Sequence, residues 1–198
     1  MPKQMITDEF WPELLAILTK LGVYAKANVR KVCEGILYYH RNSIAWRDLP
    51  EEYSRWFSVY RQFLRWSKSG LLIKVFKVLS AETDNEWISM DSTYVKVHQH
   101  GTRYSAFSKE ATGKSRGGNT TKIHLVTNAY GLPIDFEITG GDVSDVKIGE
   151  KLVEKNFNAE FIIGDKGYDS EKLRTMIRAR GAIPVIPSAL SSSKRNTH

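Results

Sequence analysis

Asp91 and Asp165 are the side chains of this sequence best placed to do chemistry. Asp91 lies in the strand-like run Trp87-Ile88-Ser89-Met90-Asp91-Ser92-Thr93-Tyr94-Val95, and Asp165 ends the apolar run Phe161-Ile162-Ile163-Gly164. A carboxylate at the end of an apolar strand is costly to hold unless a cation pairs with it. Two such carboxylates, brought together from positions 74 residues apart, describe half of a divalent-metal site. His98-Gln99-His100 is a weaker metal candidate: no third or fourth soft ligand accompanies it, and it reads as a polar turn.

The elements that must position the aspartates change character near residue 85. Residues 1–85 read as a helical domain. Pro12 follows an acidic start, and Leu14, Leu15, Leu18 and Leu21 recur at helical spacing before Gly22. Asn28 is placed to cap a second helix with the stripe Val29, Val32, Cys33, Ile36 and Leu37. A third carries Tyr53, Trp56, Phe57, Tyr60 and Leu64 on an apolar face, with Arg61 and Arg65 on the other; a fourth follows Gly70. Residues 86–198 read as β-β-β-α-β-α-β. Segments 121–127 and 132–138 form a hairpin about Asn128-Ala129-Tyr130-Gly131, and Asp135 and Glu137 are expected on a wet face. A helix over 143–156, a doubly buried strand at 161–163, a helix with Leu173, Met176 and Ile177, and an edge strand over 183–186 containing Pro184 complete the order. Antiparallel strands followed by parallel crossovers predict a mixed α/β sheet. If the first and fourth strands are neighbours, Asp91 and Asp165 meet at strand carboxyl ends, where open α/β sheets collect ligands.

Composition limits the partners. With 29 Lys and Arg against 22 Asp and Glu, the net charge is +7 and the pI near 9.4, which favours polyanions. No apolar run approaches the ~18 residues of a membrane span, no signal-peptide pattern opens the chain, and the single Cys33 excludes an internal disulfide. A cytoplasmic, nucleoid-associated protein is expected. Lys96, Arg103, Lys109, Lys114, Arg116 and Lys122 face a single acid, Glu110, between positions 96 and 122. With Gly117-Gly118 allowing close backbone approach, this segment reads as a DNA-backbone contact, the alternative being a solvated basic loop. Arg61 and Arg65 either touch DNA or lie in water.

Three blocks, Met90-Asp91-Ser92-Thr93, Ser115-Arg116-Gly117-Gly118-Asn119-Thr120-Thr121-Lys122-Ile123-His124 and Gly164-Asp165-Lys166-Gly167-Tyr168-Asp169-Ser170, resemble successive motifs of the DDE transposases of bacterial insertion sequences. The nearest group is insertion-sequence family five within the family-four superfamily. Trp46-Arg47-Asp48-Leu49-Pro50, with Tyr60, Arg61, Phe63, Arg65 and Trp66, resembles their helical N-terminal region, so the similarity runs from about residue 40 onward.

The resemblance implies an RNase H-like catalytic domain, double-stranded DNA (transposon ends and target) as substrate, and two Mg²⁺ ions held by Asp91 and Asp165 for in-line displacement at phosphorus. It also implies a third ligand, a glutamate on a helix after the last strand, whereas this sequence ends at Ser193-Lys194-Arg195-Asn196-Thr197-His198 before such a helix. The nearer acids read otherwise: Glu171 as a favourable charge in a first helical turn, Glu150 and Glu154 as a solvated face, and Asp142 with Asp145 as helix caps or as support beside the site. The expected protein is a transposase product, either the first frame of a split gene whose downstream product supplies the glutamate or a truncated copy. It would pair with itself or with that product. The alternatives are a DNA-binding fragment that competes with intact transposase and an RNase H-like nuclease with a substitute acid.

Overall fold

Helix α1 (Trp11–Lys20) carries Pro12 in its first turn, buries Leu14 and Leu18, and is followed by Gly22 at φ +88°. The computed structural model describes residues 4–81, 86–97, 111–115, 117–155 and 158–188. The chain divides into two compact units, residues 1–79 and 80–198. In the first, α2 (Val29–Asn42) turns Val29, Val32, Cys33 and Ile36 inward as their spacing predicts. Leu37, at the margin of that stripe, is instead 43% exposed, and Asn28 occupies the cap position without a side-chain cap bond. Helix α3 (Trp56–Lys68) also departs from expectation. Its inward face is Val59, Phe63 and Trp66, while Phe57 is 52% exposed. Tyr53 precedes the helix in a short turn of 3-10 helix, Glu51–Tyr53, and from there enters the core with Leu49. Helix α4 (Leu71–Ser80) adds Leu71 to the same core. Among the described residues no helix is long and apolar enough to cross a membrane.

The second unit is built on a six-stranded mixed sheet. In chain order it runs β1 (Trp87–Lys96), β2 (Gly113–Ser115), β3 (Gly118–Asn128), β4 (Pro133–Gly140), α5 (Asp145–Glu154), β5 (Phe161–Gly164), α6 (Glu171–Ala179) and β6 (Ile183–Val185). Strand β1 pairs antiparallel with β3 and parallel with β5; β3 pairs antiparallel with β4, and β5 parallel with β6. The resulting order β4-β3-β1-β5-β6 is that of an RNase H-like sheet, extended by the short β2 beside the start of β3. The hairpin is closed by Asn128, whose Oδ1 accepts from the backbone N–H of Tyr130 (3.1 Å) and Leu132 (2.9 Å), while Gly131 takes φ +74°.

One face of the sheet is covered by both helices. Ile88, Met90, Val126 and Ile162 pack there against Ile148, Leu152 and Val153 of α5 and Leu173 and Ile177 of α6. Asp135 and Glu137, expected to be wet, lie under α5: Lys155 Nζ reaches them at 2.8 and 2.9 Å and Lys151 Nζ reaches Glu137 at 3.1 Å. Alternation along the strands puts Trp87, Val95, Ile138, Ile183 and Val185 on the opposite face, where each is 45 to 51% exposed. Pro184 sits on β6 with β5 as its ladder partner, an edge position as its missing N–H requires.

Helix α6 separates packing from capping. Leu173 is fully buried, and Ser170 Oγ accepts from the Leu173 N–H at 3.4 Å. Leu173→Ala is expected to cost about 3 kcal/mol and Ser170→Ala about 1 kcal/mol, both read as shifts in the urea-unfolding midpoint. Equal costs would show that α6 is held by its cap rather than by burial.

Candidate functional site

The parallel register of β1 and β5 sets Met90 against Gly164. Asp91 and Asp165 are each one residue further on, so they emerge side by side at the carboxyl end of β5, on strands about 4.8 Å apart. Both are exposed. Asp91 Oδ1 accepts from the Ser92 N–H at 2.7 Å, and Asp165 Oδ1 accepts from the Gly167 N–H at 2.9 Å.

The turn after Asp165 is fixed residue by residue. Asp165 caps a turn of 3-10 helix, Lys166–Tyr168, and Tyr168 then drops fully into the core. Asp169 takes a 2.9 Å ion pair from Arg174, whose guanidinium also donates to the Ile186 carbonyl at 2.7 Å, and Ser170 caps α6. Gly149 of α5 permits the packing, because a Cβ there would stand 2.9 Å from the Tyr168 ring. A Cβ on Gly167 would stand 3.0 Å from Asp165 Oδ1 and 3.1 Å from Asp145 Oδ2, so a side chain would intrude between two carboxylates.

Of the two places expected for Asp145, the helix cap is not the one it takes. Ser144 holds the helix-cap position, and Asp145, in the first turn of α5, faces inward. Its Oδ2 accepts from Lys122 Nζ at 2.7 Å, and its Oδ1 lies 3.3 Å from His124 Nδ1. His124 Nε2 lies 3.0 Å from Thr139 Oγ1. Lys122 and His124 are both buried, so the expected DNA contact of Lys122 is revised: its ammonium is used inside the unit and lies 4.6 Å from the Tyr94 ring centroid. Burial alone would lower the Lys122 pKa, but its hydrogen bonds to Asp145 and Tyr94 outweigh it and raise it. Burial lowers the His124 pKa, with Lys122 assisting and Asp145 opposing. Burial raises that of Tyr168, reinforced by Asp145, Asp165 and Asp91 in that order. Sequence reasoning passed over His124, Thr139 and Tyr168. The available signal was Lys122, His124 and Val126 at alternate positions of one strand, which places two titratable groups on a buried face.

The other acids weighed lie elsewhere. Glu171 pairs with Arg178 at 3.0 Å and Glu150 with Lys172, while Glu154 is exposed. Among the described residues no group of three or more His, Cys, Asp or Glu is arranged to hold a metal ion. The Asp91–Asp165 pair alone still suits Mg²⁺, which is commonly held by one or two carboxylates and completes its shell with water and phosphate oxygens.

Of the basic residues, Lys96 and Lys114 are exposed on β1 and β2, the strands flanking the start of β3. Arg103, Arg116, Lys109 and the His98-Gln99-His100 segment lie outside the described residues. Arg61 and Arg65 are exposed on α3 and, with Lys26, Gln62, Tyr24 and Phe57, line a cavity of about 630 Å³ in the helical unit. Arg61 stacks 5.6 Å from the Phe57 ring centroid, and Tyr24 is 84% exposed.

The sheet order, with two aspartates at neighbouring strand ends, defines an RNase H-like domain. Residues 82–198 match the family model "Transposase DDE domain", and residues 6–76 match that of transposases of the IS4/5 family (DUF4096). The chain belongs to the DDE transposases of the IS4/5 family. Similar proteins include an uncharacterized protein of Sinorhizobium fredii, 39% identical over 98 residues, 48% of this chain and 78% of that protein. A transposase for insertion sequence element IS402 of Burkholderia cepacia is 34% identical over 86 residues, 38% of this chain and 40% of its own. One for IS6501 of Brucella ovis is 33% identical over 76 residues, 36% of this chain and 58% of its own. The matches thus span about half the length of the two relatives named as transposases. A piggyBac transposase in a synaptic complex with hairpin DNA aligns with 96% of this chain and 42% of its own at a TM-score of 0.47 and 12% identity.

The buried histidine gives a pH dependence of definite sign. Because the folded state disfavours His124 protonation, the unfolded chain binds the extra proton below the ordinary pKa of 6.5. Stability is therefore fully present above that value and falls as pH drops below it, until the folded pKa is passed. Urea midpoints measured from pH 7.5 to 5 are expected to fall, and His124→Gln to remove that component; a wild-type curve unchanged by the substitution would refute the assignment.

Proposed function

We propose that this chain is an insertion-sequence transposase component that binds transposon-end DNA and, when its site is complete, cleaves a strand and transfers it to target DNA. The observation that carries this reading is the register that sets Asp91 beside Asp165. Asp91 and Asp165 would hold Mg²⁺; such ions supply charge neutralisation at phosphorus and activation of an oxygen nucleophile. The chain's own contribution is to hold the ligands still. Ser92 and Gly167 N–H groups orient one oxygen of each aspartate, and Tyr168, buried beneath them, fixes the turn that carries Asp165. Lys96 and Lys114 offer phosphate contacts at the far end of β1, about 17 Å along the strand from Asp91. Cleavage of end DNA in Mg²⁺ is expected only where a third acid completes the site, and Asp165→Asn is expected to abolish it; cleavage that survives Asp165→Asn would overturn the reading.

A second reading, a DNA-binding module that competes with intact transposase, is favoured by the basic, aromatic-flanked cavity of the helical unit. Arg61 and Arg65 offer charge, while exposed Tyr24 and Phe57 offer stacking surfaces. Replacing both arginines by alanine should weaken end-DNA binding and reduce the slope of log K against log salt by about 2. An unchanged slope would exclude phosphate contacts there.

A further inference from the structure

We infer that Asp145 is a third acidic residue of the site, reaching a cation held by Asp165 through the cation's water shell, with Lys122 as its internal counter-charge. The inference deepens the proposed function and rests on its cation-binding reading.

Three independent features support it. The first is space. Asp145 Oδ2 and Asp165 Oδ1 flank the same point beside Gly167, where any Cβ would intrude. The second is the way Asp145 is held. Thr139, His124, Asp145 and Lys122 form one buried polar chain, with contacts of 3.0, 3.3 and 2.7 Å. Among the described residues only Lys122 makes a hydrogen bond to Asp145, through Oδ2; Oδ1 and the facing His124 Nδ1 are buried without a hydrogen-bond partner, so the carboxylate is held by its ion pair and keeps one oxygen open. A surface helix cap would not need such a chain. The third is the Tyr168 hydroxyl. It is fully buried without a well-formed hydrogen-bond partner among the described residues, and burial with the charges of Asp145, Asp165 and Asp91 keeps it protonated. An unpartnered hydroxyl in the turn that carries Asp165 is a polar group left open beside the site.

Asp145 is not placed as a direct ligand: both its oxygens already face Lys122 and His124. That geometry suits a water-mediated role, in which a carboxylate accepts from cation-bound water and adds field without coordinating. It also assigns Lys122 an electrostatic role, because its ammonium offsets the Asp145 charge and weakens the cation field. The two residues should consequently affect cation affinity with opposite signs.

The test titrates the full chain with Mn²⁺ alone and follows the free ion by electron paramagnetic resonance. Asp145→Asn should weaken binding about tenfold, the size typical of outer-sphere partners. Lys122→Gln, which keeps a donor toward Asp145 but removes the charge, should tighten it. Weakening by both variants would identify a merely structural role and overturn the inference. So would unchanged affinity in Asp145→Asn alongside lost binding in Asp91→Asn and Asp165→Asn, which would leave the cation-binding reading standing. If instead Asp91→Asn and Asp165→Asn bind Mn²⁺ like the wild type, that reading fails and the inference with it. Should Asp145→Asn not fold, Lys122→Gln decides alone: tighter binding supports the inference, and unchanged or weaker binding overturns it.

Discussion

Parallel pairing of β1 with β5 is the constraint on which the site depends, and it acts through register. Side chains alternate across a sheet, so a slip of one residue would send one aspartate to the opposite face from the other. What prevents the slip is burial on the helix-covered face. Ile88 and Met90 of β1 and Ile162 of β5 are almost wholly buried beneath α5 and α6, and shifting either strand would expose them. Each such side chain contributes roughly 1.5–3 kcal/mol when buried. The position of two exposed carboxylates is thus set by apolar residues on the other face.

The same division of labour recurs in the turn that follows. Gly164 and Gly149 let Tyr168 fit between strand and helix, Arg174 ties Asp169 to the end of β6, and Gly167 leaves room between carboxylates. These residues touch no ligand, yet together they leave the backbone after Asp165 little freedom. Lys122 belongs in this category as well. A lysine in a basic segment reads as a DNA contact until its place in the strand alternation is considered; a buried ammonium needs a partner, and Asp145 supplies it.

Much of this was legible beforehand, and the reasons are physical. The hairpin about Asn128 and the edge position of Pro184 follow from turn chemistry and a missing N–H, while the meeting of Asp91 with Asp165 was conditional on β1 and β5 being neighbours, which the parallel register supplies. Less legible were features set by tertiary packing. Phe57 lies at helical spacing from its aromatic neighbours, but the core of the helical unit meets α3 along Val59, Phe63 and Trp66. Asp135 and Glu137 alternate as a wet face would, yet α5 covers them because Lys151 and Lys155 carry the matching charge. For Asp145 the sequence left a cap and support beside the site as alternatives, because the contacts that decide between them lie more than twenty residues earlier on β3.

The half-exposed apolar face of the sheet has a consequence for how the unit behaves in solution. Trp87, Ile183 and Val185 lie in adjoining rows across β1, β5 and β6, where Trp87 meets the Phe161 ring at 5.1 Å, and β6 carries a proline among its three residues. A proline on the rim denies an incoming strand one of the bonds it would need to extend the sheet. The unit thus carries oily surface on one face while its β6 border offers an incoming strand one bond fewer.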